Sequence, residues 1–188
     1  MSLKNWDNKT WLSSSSYIKS FNKFLIQETK LNKNSAILDI GCGRGKILGN
    51  LTSKLRLIKK PIGIDIEQHK DRDKRIIFNK TDAISYLKKN RKKFDLILLK
   101  QTIHFLTLKE INKLLFLSKN CLNSGGRIVI FTLATSKNEI PTFAKMKKKL
   151  SKSLKRDQKI LRFINVLYPG SISKTFSFKV KISRKKYV

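Results

Sequence analysis

The sequence predicts an α/β protein, built as a doubly wound, mostly parallel sheet flanked by helices. Three observations predict it. Short apolar runs, Ala36–Ile40 (AILDI), Ile62–Ile66 (IGIDI), Arg75–Phe78 (RIIF), Phe94–Leu99 (FDLILL) and Arg127–Leu133 (RIVIFTL), have the length and continuous apolar character of strands buried on both faces. Between them Ile47, Leu48, Leu51 and Leu55, and later Ile111, Leu114, Leu115 and Leu117, recur at helical spacing. A glycine-rich stretch, Gly41-Cys42-Gly43-Arg44-Gly45, joins the first run directly to the first of these helices. Strand, glycine turn and amphipathic helix in repeated order define a parallel sheet with helices on both faces.

Each element follows from local chemistry. The first 35 residues contain Trp6, Trp11, Tyr17, Phe21, Phe24 and Leu25, which predict an aromatic arm leading into an amphipathic helix packed on the sheet or over its rim. Glu67–Lys74 (EQHKDRDK) is too short and polar for a long crossover helix and is expected to be a loop or a single turn. Thr107-Leu108-Lys109-Glu110 is a capping box, so a helix starts at Leu108. Asn123-Ser124-Gly125-Gly126 reads as the turn that returns this helix to the fifth strand, with glycine supplying a positive φ. Further on, Pro141–Leu154 reads as a basic surface helix, and Ile160, Leu161, Ile164 and Leu167 again show helical spacing. A Pro169-Gly170 turn then precedes Thr175–Ile182, whose alternation predicts a strand at or near a sheet edge.

Length and charge bound the function. At 188 residues one domain is expected, with residues 1-35 as arm and helix, 36-134 as core and 135-188 as basic helices and edge strand. Two Cys cannot form a disulfide framework, and no His, Cys or carboxylate cluster has metal-ligand spacing. No apolar run approaches the roughly 18 to 20 residues that span a bilayer, so a soluble, cytoplasmic protein without membrane contact is expected. The formal charge is +31, from 34 Lys and 9 Arg against 12 acids. Such an excess suits either a lysine-coated, solvated surface or contact with a polyanion such as RNA through the basic helices.

Chemistry concentrates in three loops. Asp39 precedes a G-x-G-x-G turn with Lys46 where a dinucleotide loop would place its third glycine. An acid there disfavours a pyrophosphate and suits a ligand carrying ammonium and sulfonium charge, although such a turn also serves tight packing alone. Asp65, 24 residues beyond Gly41, stands where a carboxylate accepts bonds from ribose hydroxyls. Asp82, in Thr81-Asp82-Ala83, is placed either to accept from an adenine amine or to cap the helix that follows.

In order and separation, ILDIGCGRG, PIGIDIE, TDA, FDLILLKQTIHFL and LNSGGRIVIFTL resemble the class I S-adenosylmethionine-dependent methyltransferases, and within them the small type 11/12 enzymes. The resemblance implies a Rossmann-like sheet, S-adenosyl-L-methionine as cofactor and a small-molecule acceptor. It implies that Asp39, Gly41, Cys42, Gly43 and Gly45 surround the methionine part, Asp65 and Ile66 the ribose, and Asp82 and Ala83 the adenine. Lys100 would lie beside the methionyl group and the acceptor. His104 is the candidate general base, since imidazole titrates near neutrality, or else a histidine that fixes its loop. His69 is expected at the surface. Lys100-Gln101-Thr102-Ile103 stands where amino-nitrogen enzymes carry an Asn/Asp-Pro-Pro-aromatic tetrad, and no Pro-Cys nucleophile follows the fourth strand. Only one clear strand follows the fifth, so the sheet is expected to lack the last family strand unless Lys159–Leu167 hairpins with Thr175–Ile182. An RNA methyltransferase using Lys88–Lys93 and Lys145–Lys155, or a binding protein without turnover, are the alternative functions.

Overall fold

The computed structural model describes residues 15–133, 161–166 and 175–180. Its elements are α1 (Ser15–Thr29), β1 (Ile37–Ile40), α2 (Lys46–Leu55), β2 (Ile62–Asp65), β3 (Ile77–Lys80), α3 (Ala83–Lys89), β4 (Phe94–Lys100), a short 3-10 turn (Ile103–Phe105), α4 (Leu108–Asn120), β5 (Leu122–Leu133), β6 (Leu161–Val166) and β7 (Thr175–Val180). The strands form one sheet in the order β3-β2-β1-β4-β5-β7-β6. The first five are parallel, and β7 runs antiparallel to both β5 and β6.

Alternation along the central strands splits the core into two layers. Leu38, Ile40, Ile97, Leu99, Ile128 and Ile130 point to one face, where Leu87 of α3 and Ile111 and Leu114 of α4 cover them. Ile37, Leu96, Leu98, Val129 and Phe131 point to the other, against Leu48 and Leu51 of α2 and Ile18, Phe21 and Leu25 of α1. The N-terminal helix therefore lies on the sheet, with Phe21 edge-on to Phe131 at 4.9 Å between ring centroids. Asn22 locks it to α2 by donating to the Ile47 carbonyl and the Asn50 side chain. At the amino ends of the strands Asp95 ties three segments together, accepting from the Ala36 N–H at 2.7 Å and from Asn123 Nδ2 at 2.8 Å.

The Thr107 capping box is complete, with Thr107 Oγ1 accepting from the Glu110 N–H and the Glu110 carboxylate accepting from the Thr107 N–H. Thr107→Ala removes the acceptor for the Glu110 N–H and is expected to cost about 1 kcal/mol, a fall in Tm of about 2–4 °C for a chain of this size. Thermal melts followed by circular dichroism check this.

Two expectations need correction, and residues 161–166 take the strand alternative to their helical reading. Residues 123–126 are not a turn but the first part of β5, with the register shift between Phe94 and Leu96 beside them. Gly125 does take a positive φ, +74°, as a bulge within the strand rather than a break before it. Residues 161–166 are the strand β6, the hairpin alternative to the helical spacing, because six consecutive pairings with β7 give their backbone groups partners. Among the described residues the sheet thus has seven strands, with β6 at the edge and β7 next to it, near the edge as expected. Finally, the third strand is Ile77–Lys80 rather than Arg75–Phe78, and it lies at the opposite edge, where Ile77 is 43% exposed. The expected Trp6 and Trp11 arm, the helix at 141–154 and the Pro169-Gly170 turn lie outside the described residues.

Candidate functional site

The sheet order reverses between β1 and β4, since the chain leaves β1 toward β2 and leaves β4 toward β5. Beyond the carboxyl ends of strands at such a switch point a crevice opens. Here it is a cavity of about 470 Å³. That volume lies within the range of pockets that enclose small ligands.

Most of the residues singled out in the sequence meet on its walls. Asp39, Gly41, Cys42, Gly43, Asp65, Ile66, Asp82, Ala83 and Lys100 all line it. Gly45 does not: at φ +70° it begins α2, and a Cβ there would fall 2.4 Å from Ile76 Cδ1. His104 has its backbone in the 3-10 turn between cavity residues Thr102 and Phe105, and its side chain lies outside the described part. His69, expected at the surface, is half-buried and borders the cavity, because the 67–74 loop folds back over the glycine turn.

That fold-back sets the shape of the site. Arg72 donates from Nε to the Gly43 carbonyl and from Nη2 to the Glu67 carbonyl, with its guanidinium 3.2 Å from the centre of the Phe78 ring. The Asp73 N–H donates to the Arg44 carbonyl, and Arg44 pairs with Asp71 at 2.8 Å. Asp65 grips the same turn from the strand side, Oδ2 accepting from the Gly43 N–H at 2.8 Å while Oδ1 accepts from the Glu67 N–H at 2.9 Å. The glycine turn is thus anchored from the strand side by Asp65 and from the loop side by Arg72 and the Asp73 N–H.

Around Cys42 two carboxylates act against one guanidinium. Burial pushes the Cys42 thiol well above its ordinary range, the Asp39 and Asp65 carboxylates push it further, and Arg72 opposes them. The thiol is therefore neutral and unsuited to nucleophilic attack. The same field favours a bound cation. Asp82 caps α3, its Oδ1 accepting from the Ser85 N–H, and the Ser85 hydroxyl, with this N–H, holds its carboxyl below the usual range. Arg44, Lys46 and Lys100 also border the cavity, so the basic excess reaches the site as well as the surface. Among the described residues no group of three or more His, Cys, Asp or Glu could hold a metal ion, and no helix is long and apolar enough to cross a membrane.

Sequence reasoning missed Arg72. It looked like one of many surface charges, and only the returning loop gives it a role.

Seven strands in this order, with an antiparallel seventh and a glycine turn at the switch point, define a nucleoside-binding α/β class. The methyltransferase-domain family matches residues 31–168, and the chain belongs to this family, the class I S-adenosylmethionine-dependent methyltransferases. Solved structures share the fold. An S-adenosylmethionine-dependent methyltransferase from Archaeoglobus fulgidus is 18% identical, covering 88% of this chain and 94% of its own, at a TM-score of 0.65. The N-methyltransferase NodS of Bradyrhizobium japonicum, with S-adenosylhomocysteine, is 16% identical over 94% of each chain at 0.63. The 1,6-didemethyltoxoflavin-N1-methyltransferase of Burkholderia thailandensis is 13% identical, covering 94% of this chain and 83% of its own, at 0.69. No match was found among curated proteins.

Proposed function

We propose that this chain methylates a small molecule, with the cofactor lying along the cavity from the β1 turn to the α3 N-terminus. The observation that carries the reading is the convergence of Asp39, Asp65 and Asp82, from three successive strand ends, on one cavity. The donor set suits the cofactor. Gly41 and Gly43, at φ +76° and +53°, give a side-chain-free cradle, and the field of Asp39 and Asp65 felt by Cys42 matches an ammonium and a sulfonium. Asp65 would take the ribose hydroxyls beside Ile66, and Asp82 and Ala83 the adenine. Asp39, Cys42 and Lys100 would flank the methionyl end, while Gly45 keeps the turn tight.

When bound, S-adenosylmethionine supplies an activated methyl group on a positive sulfur. The chain's own task is to align a nucleophile in line with that bond and to take its proton. His104 is the proposed base, on the turn between Thr102 and Phe105. His104→Gln is expected to lower kcat about 100-fold, the usual scale of general-base catalysis, while leaving S-adenosylhomocysteine affinity unchanged. Single-turnover assays with calorimetry alongside would show this, and an unchanged rate would remove His104 from catalysis.

The acceptor is read as small because the described basic cluster is far from the cavity. Lys88, Lys89, Arg91, Lys92 and Lys93 are exposed at the amino end of β4, whereas Lys100 ends the same strand at the cavity. Those ends are about 20 Å apart at strand rise. Transfer of a deuterated methyl group, followed by mass spectrometry of small acceptors and of RNA, tests the reading. Label found only in RNA, with RNA affinity falling steeply with salt, would overturn it.

A further inference from the structure

The outer face of α4 carries an aromatic ring that the core does not use. Phe116 is 64% exposed. Among the described residues four other large apolar side chains are exposed, but Ile66 and Phe105 border the cavity, Ile58 precedes β2 and Ile77 begins β3. Phe116 stands apart from them, in a row of polar neighbours. Lys109, Lys113, Phe116 and Asn120 follow one another at helical spacing, so they share one side of the helix, and all of them are exposed. The row is about 17 Å long at helical rise.

A basic loop is fastened to the end of this row. Lys88, Lys89, Arg91, Lys92 and Lys93, at the end of α3 and in the loop before β4, are all exposed. Lys93 Nζ donates to the Asn120 carbonyl, and Asn90 Nδ2 donates to Cys121 Sγ at 3.4 Å. The Asn90 amide also clasps Lys92, donating to its carbonyl at 2.7 Å and accepting from its N–H at 3.2 Å. These bonds set the loop against the last turn of α4, and Asn120 is one turn, about 6 Å along the axis, from Phe116.

Part of this charge has an ordinary role. Lys88 and Lys89 in the last turn of α3, and Lys119 in that of α4, complement the helix dipoles, and Lys93 meets a terminal carbonyl. Arg91, Lys92 and Lys113 serve no helix end, and Lys109 sits in the first turn of α4, where the dipole disfavours a cation. The acids of this segment are engaged elsewhere, Asp95 by the Ala36 N–H and Asn123, Glu110 by Thr107. An exposed ring set in a line of cations is the pattern that binds a nucleic-acid strand, the charges following its phosphates while a base stacks on the ring. A duplex offers no unstacked base, and a bilayer surface calls for an apolar stripe where this face has one ring. We propose that the α4 row and the 88–93 loop dock a single strand of nucleic acid, with phosphates on Arg91, Lys92 and Lys113 and an unpaired base on Phe116. The strand is docked, not methylated: Arg91 and Lys92 precede β4, whose carboxyl end meets the cavity.

The test is a fluorescence-anisotropy titration with labelled oligouridylate and oligothymidylate of about 12 nucleotides, within the site sizes of single-strand binders. Unlabelled strand, a duplex of the same length and phosphatidylserine vesicles serve as competitors. Arg91→Glu with Lys92→Glu is expected to weaken binding about tenfold or more, and to make the slope of log K on log salt shallower by about 1.4, the share of two phosphate contacts. Phe116→Ala is expected to weaken it about fivefold or more at unchanged salt slope, the scale of one stacked base, while Phe116→Tyr binds as wild type does. Lys19→Glu with Lys23→Glu makes the same charge change at exposed positions of α1, across the sheet. It is expected to alter affinity no more than about twofold at physiological salt, where charges beyond roughly 8 Å are screened. All variants are expected to melt within about 2 °C of wild type and to keep its affinity for S-adenosylhomocysteine.

Equal losses in the two glutamate pairs would reduce the effect to the net charge of the chain and overturn the proposal. So would strand binding untouched by Phe116→Ala, a loss in Phe116→Tyr equal to that of alanine, or a duplex or vesicle that competes better than unlabelled strand. A wild-type chain that binds neither strand overturns it outright. Where the variants behave as expected, the tighter-binding strand names RNA or DNA as the source. Failure of S-adenosylhomocysteine to bind any form would overturn the cofactor placement and leave the strand titrations to judge this face alone.

Discussion

Asp65→Ala is expected to weaken S-adenosylhomocysteine binding by about 30- to 1,000-fold, or about 2–4 kcal/mol. Two effects combine. Each Asp65 oxygen already accepts one backbone N–H, from Gly43 or Glu67, and keeps a second lone pair that a ribose hydroxyl can use. Hydrogen bonds to a charged group contribute about 1.5–3 kcal/mol each, less than additively when they share one carboxylate. The alanine also frees the Gly43 N–H, so the glycine turn loses its strand-side anchor and must be ordered by the ligand. Asp65→Asn separates the two effects. Its one amide oxygen can still accept the Gly43 N–H while the carboxylate's charge is lost, so its loss should stay well below that of alanine if the turn anchor dominates and approach it if the ribose contacts do. Calorimetry on the three proteins reads both. Unchanged affinity in Asp65→Ala would show that the ribose lies elsewhere.

The parallel core was legible because burial on both faces leaves a strand almost no polar positions, as in Ile37–Ile40 and Phe94–Leu99. The Thr107 cap was legible because its signal is local, spanning four residues. Where the sequence misled, local signals competed with pairing. Asn123-Ser124-Gly125-Gly126 carries the composition of a turn, but one positive φ at Gly125 can be absorbed by a bulge when a neighbouring strand is available. Leu161 and Ile164, three apart, fit a helical period and fall on opposite faces of a strand, so only the pairing with β7 across the ladder overrides that signal. At the site, the three acids were legible because strand-end position and glycine spacing are sequence properties. Arg72 was not, since its bonds to Gly43 and Glu67 exist only once the loop between β2 and β3 has folded back.

Gly41→Ala is expected to destabilise the chain by about 2–5 kcal/mol, the sum of about 1–2 kcal/mol for a left-handed L-residue and about 1–3 kcal/mol for overpacking. At φ +76° a Cβ on residue 41 would lie 2.1 Å from Thr102 Oγ1 and 2.8 Å from its Cγ2. Neither side can withdraw freely. The Gly41 N–H is bound to the Ile64 carbonyl of β2 at 2.8 Å, and the Thr102 hydroxyl to the Ile40 carbonyl at 3.0 Å. For a chain of this size the cost corresponds to a fall in Tm of about 5–15 °C. Thr102→Ala in the Gly41→Ala background removes the atoms that collide but not the backbone strain, so the double variant should regain the packing part alone. The two substitutions should therefore be strongly non-additive in a double-mutant cycle. If Gly41→Ala melts within about 2 °C of wild type, the turn does not press on Thr102. The close joining of β1 to β4 that shapes the cavity floor would then have to be redrawn.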